Sequence, residues 1–167
     1  MKQSIRILGI DPGARATGWA VIDVAGNSLS FVEAGVIRAK THHDRPGRLA
    51  AIHQGLTALI ERLCPVEAAV EQTFVNASPR DALVLGEARG VALCAPAACG
   101  LDVAEYAANS VKKSVVGRGH ADKGQVQVMV RTLLPASGKL ASDAADALAV
   151  AICHAHHRVS PTYRRSA

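Results

Sequence analysis

Aromatic rings are scarce in this chain: Trp19, Phe31, Phe74, Tyr106 and Tyr163 are the full set. A core built on aromatic packing is thereby excluded. With hydrophobic residues at 49%, much of it Ala and Val, the interior must be aliphatic. A ring in a polar stretch then needs a reason, and Phe74 in Thr73-Phe74-Val75-Asn76-Ala77 is such a ring. No segment reaches the roughly 20 apolar residues of a membrane helix. The apolar run after Met1-Lys2-Gln3-Ser4 ends early, in Asp11-Pro12-Gly13, which does not match a secretory leader. A soluble, cytoplasmic protein that does not engage membrane is expected. Cys64, Cys94, Cys99 and Cys153 lack any Cys-x-x-Cys spacing, so they read as small buried hydrophobes in a reducing compartment. Cys153-His154-Ala155-His156-His157 has the composition of a transition-metal site. Neighbouring residues on a helix point in different directions, however, and no second ligand set has matching spacing.

A chain of 167 residues fits one domain with a real core, and we assign residues 1–158 to it, with 159–167, carrying Arg164 and Arg165, as a basic flexible tail that grazes phosphate. The formal charge of +5 suits a polyanionic partner, though charge alone is a weak signal. Alternation and turn residues predict strands at Ile5–Asp11, Gly18–Val24 and Leu29–Ile37, joined as antiparallel neighbours. The period then changes. Leu49, Ile52, Leu56, Leu59, Ile60 and Leu63 recur at helical spacing from Arg48 until Pro65, and Val66–Glu71 is a short buried strand. Ser78-Pro79 opens a second helix running to Pro96, in which Gly86 and Gly90 permit close packing on the sheet or on a second subunit. A fifth strand, Leu101–Tyr106, and helices at Ser110–Val116, Ala121–Leu134 and Ser142–His157 follow, the last with Ser142 as N-cap. Right-handed crossovers make the later strands parallel to the first, so the fold class is α/β, a mixed five-stranded sheet flanked by helices.

Four carboxylates stand at the ends of apolar segments: Asp11, Glu71, and the pair Asp143 and Asp146. Clustering ionised carboxylates costs several kcal/mol unless a cation or a proton compensates, so the set reads as a site for hard divalent metal and for metal-assisted phosphodiester hydrolysis. Asp11 and Glu71 meet if both close parallel strands at the same sheet end, and residues three apart put Asp143 and Asp146 on one helix face. Such a set can hold two Mg²⁺ or Mn²⁺ ions about 3.5–4 Å apart. Singly, Asp11 is explained as a turn residue and Asp143 and Asp146 as a helix start, but Glu71 has no such excuse.

Leu8-Gly9-Ile10-Asp11-Pro12-Gly13, Val70-Glu71-Gln72 with Phe74, Val115-Val116-Gly117 with Lys123, and Asp143-Ala144-Ala145-Asp146-Ala147-Leu148 together resemble the RuvC-type crossover-junction endodeoxyribonucleases, in order and spacing from Ile7 to His154. Asp-Pro-Gly alone is weak; the ordered set is strong. The resemblance implies a ribonuclease-H-like fold and resolution of four-way DNA (Holliday) junctions by paired symmetric nicks, in DNA recombination and repair. It implies Asp11, Glu71, Asp143 and Asp146 as catalytic, metal-binding acids. Some family members carry His at the position of Asp143, which leaves its role open between metal ligand and general base. It implies DNA contacts from Phe74, Lys112 and Lys123, with Arg118 in the glycine-bearing loop between them. The bland readings are solvated lysines and a buried Phe anchoring a loop. Lys123 falls in the first turn of a helix, where the dipole disfavours a cation, so it needs a compensating anion. Paired nicks imply a homodimer, and the family works beside RuvA and RuvB. Two competitors remain: an actin-like kinase or ATPase, for which 167 residues leave no second lobe, and a catalytically inactive junction-binding module, against which the complete acidic set argues.

Overall fold

The computed structural model describes residues 4–39, 44–72 and 78–158. Five strands form one sheet in the order β3-β2-β1-β4-β5, with β1 Ile5–Asp11, β2 Ala16–Ala25, β3 Ser28–Arg38, β4 Glu67–Gln72 and β5 Asp102–Ala107. β1, β2 and β3 pair antiparallel, while β4 runs parallel to both β1 and β5. The expected mixed sheet is therefore present, and β1 and β4 carry their acids to the same end of it.

Alternation along the strands sorts the core into two layers. Leu8, Ile10 and Val70 pack on one face under α1, Arg45–Leu63, and α2, Pro79–Ala98. Ile7, Ala20, Ile22 and Ala69 pack on the other face under α3, Ala108–Val116, α4, Lys123–Leu133, and α5, Ser142–His157. α5 lies closest to the sheet because two strand glycines let its backbone in. A Cβ on Gly9 would stand 2.2 Å from the Ala147 carbonyl oxygen, and one on Gly18 would stand 1.9 Å from that of Asp143. Those distances are far inside van der Waals contact, so any side chain at either position would push the helix away.

Several local expectations need correction. Asp44 caps α1, accepting from the Gly47 amide at 3.3 Å, so the helix starts one turn before Arg48. Pro96 does not stop α2 but lies buried inside its last turn. Proline removes only its own N–H, and the helix closes two residues later with the Cys99 amide bonded to Ala95. Ser142 is the first residue of α5 rather than its cap; Ala141 holds the cap position without a side-chain bond. Cys64, Cys94 and Cys99 are exposed, and only Cys153 is buried. Phe74 and the tail 159–167 lie outside the described residues. No helix among the described residues is long and apolar enough to cross a membrane.

Candidate active site

Three elements deliver the acids. Asp11 ends β1 and Glu71 lies one residue from the end of β4, in strands paired in parallel register from Ile7–Glu67 to Ile10–Val70. Both side chains fall on the α5 face, because Asp11 alternates with Gly9 and Glu71 with Ala69. Asp143 and Asp146 lie in the first turn and a half of α5, whose N-terminus is held against β2 at Gly18, the residue paired with Asp11. All four acids are half-buried.

Burial and crowding show in the proton affinities of Asp11 and Glu71. Burial, then the charges of Glu71, Asp146 and Asp143, push the Asp11 carboxyl from 3.8 up to about 8, with Lys123 opposing. Burial and Asp146 push Glu71 up to about 6, against Lys112 and Lys123. The four expected acids are thus brought within electrostatic reach of one another. A cavity of about 240 Å³ beside them is lined by Glu71, Ala108, Val111, Lys112, Lys123, Val126, Asp146 and Ala149.

Lys123 is the first residue of α4, after Asp122, which forms a reciprocal capping box with Gln125. Its required counter-anion is Asp146, 2.7 Å from Nζ, and that carboxylate holds the ammonium above its ordinary value. Lys112 lines the same cavity from α3. Arg118 is exposed in the loop between α3 and α4 and is not among the lining residues.

The donors fit a hard divalent cation in chemistry: carboxylate oxygens, with the proton affinities of Asp11 and Glu71 raised by burial and then by neighbouring acids. Among the described residues no three acidic, His or Cys groups are already drawn into metal-holding positions. Lys123 serves instead as the cation of the cluster.

At the opposite end of the same layer lies a polar network that the sequence did not reveal. Glu67, 6% exposed at the start of β4, receives two bonds from Arg158, at 2.7 and 2.9 Å, and one from His154 Nε2 at 3.0 Å. With the Nε2 proton directed at the carboxylate, Nδ1 accepts from the Tyr106 hydroxyl at 2.9 Å. Burial works to raise the Glu67 carboxyl, but Arg158 and His154 outweigh it and hold the group below its ordinary value. His154 is therefore committed to Glu67 and Tyr106. Its histidine neighbours go elsewhere: His156 Nδ1 lies 3.3 Å from the Ser114 carbonyl oxygen, and His157 Nδ1 lies 3.2 Å from the Ser114 hydroxyl.

Comparison with known proteins places this arrangement. The family described as crossover junction endodeoxyribonuclease RuvC matches residues 7–154. The RuvC endonuclease of Afipia carboxidovorans is 57% identical over 160 residues, 96% of this chain and 94% of its own, and that of Brucella ovis is 53% identical over 96% and 92%. The fold superposes on T. thermophilus RuvC in complex with Holliday junction substrate with a TM-score of 0.83, at 32% identity, covering 90% of this chain and 93% of that one. The yeast mitochondrial Holliday junction resolvase Ydc2 shares the fold at a TM-score of 0.67 and 14% identity. A parallel pair of acid-bearing strands, an acid-bearing helix set directly on them and a family match across nearly the whole length lead to one identification: the chain belongs to the RuvC family of crossover junction endodeoxyribonucleases.

Proposed function

We propose that this chain resolves four-way DNA junctions in recombination and repair by paired, symmetric, metal-dependent hydrolysis of phosphodiester bonds in the cytoplasm. The observation that carries the reading is the convergence of Asp11, Glu71, Asp143 and Asp146 beside a cavity with lysines on its wall. Asp11, Glu71 and Asp146 would hold Mg²⁺, with Mn²⁺ as a substitute and two ions per site, and Asp143 would serve as ligand or general base. Bound there, such ions would acidify the attacking water and neutralise charge building on the leaving 3′ oxygen.

The residues of the chain do the rest. The Asp11 carboxyl, pushed up to about 8 by burial and then by the neighbouring acids, holds a proton near neutral pH that a cation held by the cluster would displace. Lys123 then exchanges Asp146 for phosphate, and Lys112, on the same cavity wall, holds the phosphate from α3. Phe74, just beyond β4, stacks on a base at the branch point, and Arg118 adds a peripheral phosphate contact.

Residues 1–158 act as one nuclease domain, with the basic tail beyond it. Two copies act together. Support comes from the face of α2: nothing lies within 4 Å of a Cβ built on Gly86 or Gly90, Leu83 one turn earlier is 59% exposed, and so the two glycines are open for a second subunit rather than buried on the sheet. RuvA and RuvB are proposed as working partners by family resemblance.

The test is a synthetic four-way junction incubated with and without Mg²⁺. Wild type should cut only with metal, and Asp146→Asn should bind and not cut. A junction retarded but never cut by wild type would make the chain a binding module; cutting by folded Asp146→Asn at more than a few per cent of the wild-type rate would remove Asp146 from the site.

A further inference from the structure

On the α1 and α2 face, at the sheet end that carries the acids, a second cavity of about 410 Å³ is lined by Ala14, Arg15, Arg48, Asp81, Val84 and Leu85. Three pieces of backbone converge on it. The β1–β2 turn supplies Ala14 and Arg15, while the first turns of α1 and α2 supply Arg48 and Asp81. The turn is held from both sides: Thr17 Oγ1 donates to the Gly13 carbonyl at 3.2 Å, and the Ala39 amide donates to the Arg15 carbonyl at 3.1 Å. Arg15 is exposed and forms no ion pair with any described residue. Arg48, half-buried in the first turn of the capped helix α1, lines the cavity as well. Asp81 is the one carboxylate of the lining, and it accepts from the Ser78 hydroxyl at 2.7 Å. Arg80, beside it in the chain, is exposed, and Arg45 pairs with Glu87 at 3.2 Å. Charge and helix ends agree in sign here, because α1 and α2 both begin at this cavity and present the positive ends of their dipoles.

Position relative to the acids gives this cavity its meaning. Arg15 follows Asp11 by four residues, so their Cα atoms are at most about 14 Å apart. Phosphates of one DNA strand recur about every 3.4 Å along a duplex axis, which puts the cavity within roughly four phosphates of anything bound at the acids. The acids lie on the α5 side of the sheet, whereas Arg15 and Arg48 line a cavity at the starts of α1 and α2, so a duplex lying across the end of the sheet would meet both.

We propose that this cleft is a second phosphate-binding site, in which Arg15 and Arg48 hold the backbone of the duplex arm adjoining the cut. The inference rests on the junction-cutting reading and adds where an uncut part of the substrate is gripped. Arginine suits the task, since its fork binds phosphate oxygens in pairs and keeps its charge at any working pH. These residues act on affinity and placement and do not touch the scissile bond.

The experiment measures junction affinity by fluorescence anisotropy in Ca²⁺ over a range of salt, followed by cleavage in Mg²⁺, for wild type, Arg15→Ala, Arg48→Ala and the double variant. Removing one arginine–phosphate pairing should flatten the slope of log K against log salt by about one. The double variant should bind about tenfold more weakly near 100 mM salt, with its cleavage defect in KM rather than kcat, and Arg→Lys variants should recover part of the affinity. Junctions carrying neutral methylphosphonates within four positions of the cut should weaken wild type more than the double variant, which keeps only the lysine contacts. Arg15→Ala alone, on an exposed turn residue, decides the matter if Arg48→Ala lowers the melting temperature. A wild-type salt slope in folded Arg15→Ala, or equal methylphosphonate effects in wild type and variant, overturns the proposal. A wild-type protein that neither binds nor cuts junctions overturns the parent reading instead.

Discussion

Replacing Asp11 with Asn keeps the shape of the side chain and removes a carboxyl that the fold holds at a cost. In the metal-free protein this group is pushed up to about 8 from 3.8, by burial first and then by Glu71, Asp146 and Asp143. A folded-state value above the unfolded one means that the folded protein keeps a proton the unfolded chain would release. Folding is therefore opposed progressively as pH climbs from about 4 to 8, and the penalty is constant above that. The whole interval from pH 5 to pH 7 lies inside the window, so at 1.36 kcal/mol for each pH unit the protein loses about 2–3 kcal/mol across it. For a domain of this size that is a fall of about 5–10 °C in melting temperature. Asp11→Asn should abolish this component, melt higher than wild type at pH 7, and cut no junction. Mg²⁺ should raise the melting temperature of wild type more than that of the variant. Glu67 is held low rather than high, so it loses its contribution only as pH falls below the ordinary carboxylate range, outside the interval. Thermal denaturation of both proteins in chelator at pH 5, 6 and 7 is the assay. Parallel curves with an unchanged gap would refute the reasoning.

Gly18→Ala would force a methyl to 1.9 Å from the Asp143 carbonyl oxygen, so it should cost about 1–3 kcal/mol and depress cleavage further than the melting shift alone accounts for. Full activity in a stable Gly18→Ala protein would mean that α5 can slide without harm. Glu67→Ala leaves His154 and Arg158 without their carboxylate; because Arg158 is one-third exposed, the destabilisation should be about 2–4 kcal/mol, seen in urea denaturation, with cleavage per folded molecule retained. Phe74→Ala should cost about 1–3 kcal/mol in the step that distorts the junction while Phe74→Trp preserves it; a drop of about 3–5 kcal/mol in stability with normal cutting would make the ring a core anchor.

How much of the fold and the site was legible depended on range. The turn at Asp11-Pro12-Gly13, the shift to helical spacing after Arg48 and the opening at Ser78-Pro79 are local signals, and each element they announce is present. Crossover handedness then sufficed to set the later strands parallel to the first. Pro96 misled because the helix needs only to survive one missing N–H near its end, and Ser142 misled because a serine beside a helix start can sit inside the first turn as well as cap it. The four acids were readable as a group since Asp11 and Glu71 sit where apolar strands stop, and Asp143 and Asp146 where an Ala-rich helix begins. Glu67 with His154 and Arg158 was not, for its partners are 87 and 91 residues away and nothing in either stretch names the other. Gly18 in the interior of a strand was the available signal for the docking of α5, a glycine there marking close backbone approach.

α5 touches the sheet at Gly9 through Ala147 and Ala151, and at Gly18 through the backbone of Asp143 and Ala144. Alanine has no side-chain torsion to adjust. The spacing between Asp11 and the pair on α5 is thus a ruler with no moving parts, graduated in backbone alone. Core substitutions elsewhere can be absorbed by rotamer changes before they reach an active centre; here a shift of the helix moves Asp143 and Asp146 by its full amount. A lineage altering the reach of these acids would change the acids themselves, Asp to Glu or to His, rather than the wall that carries them.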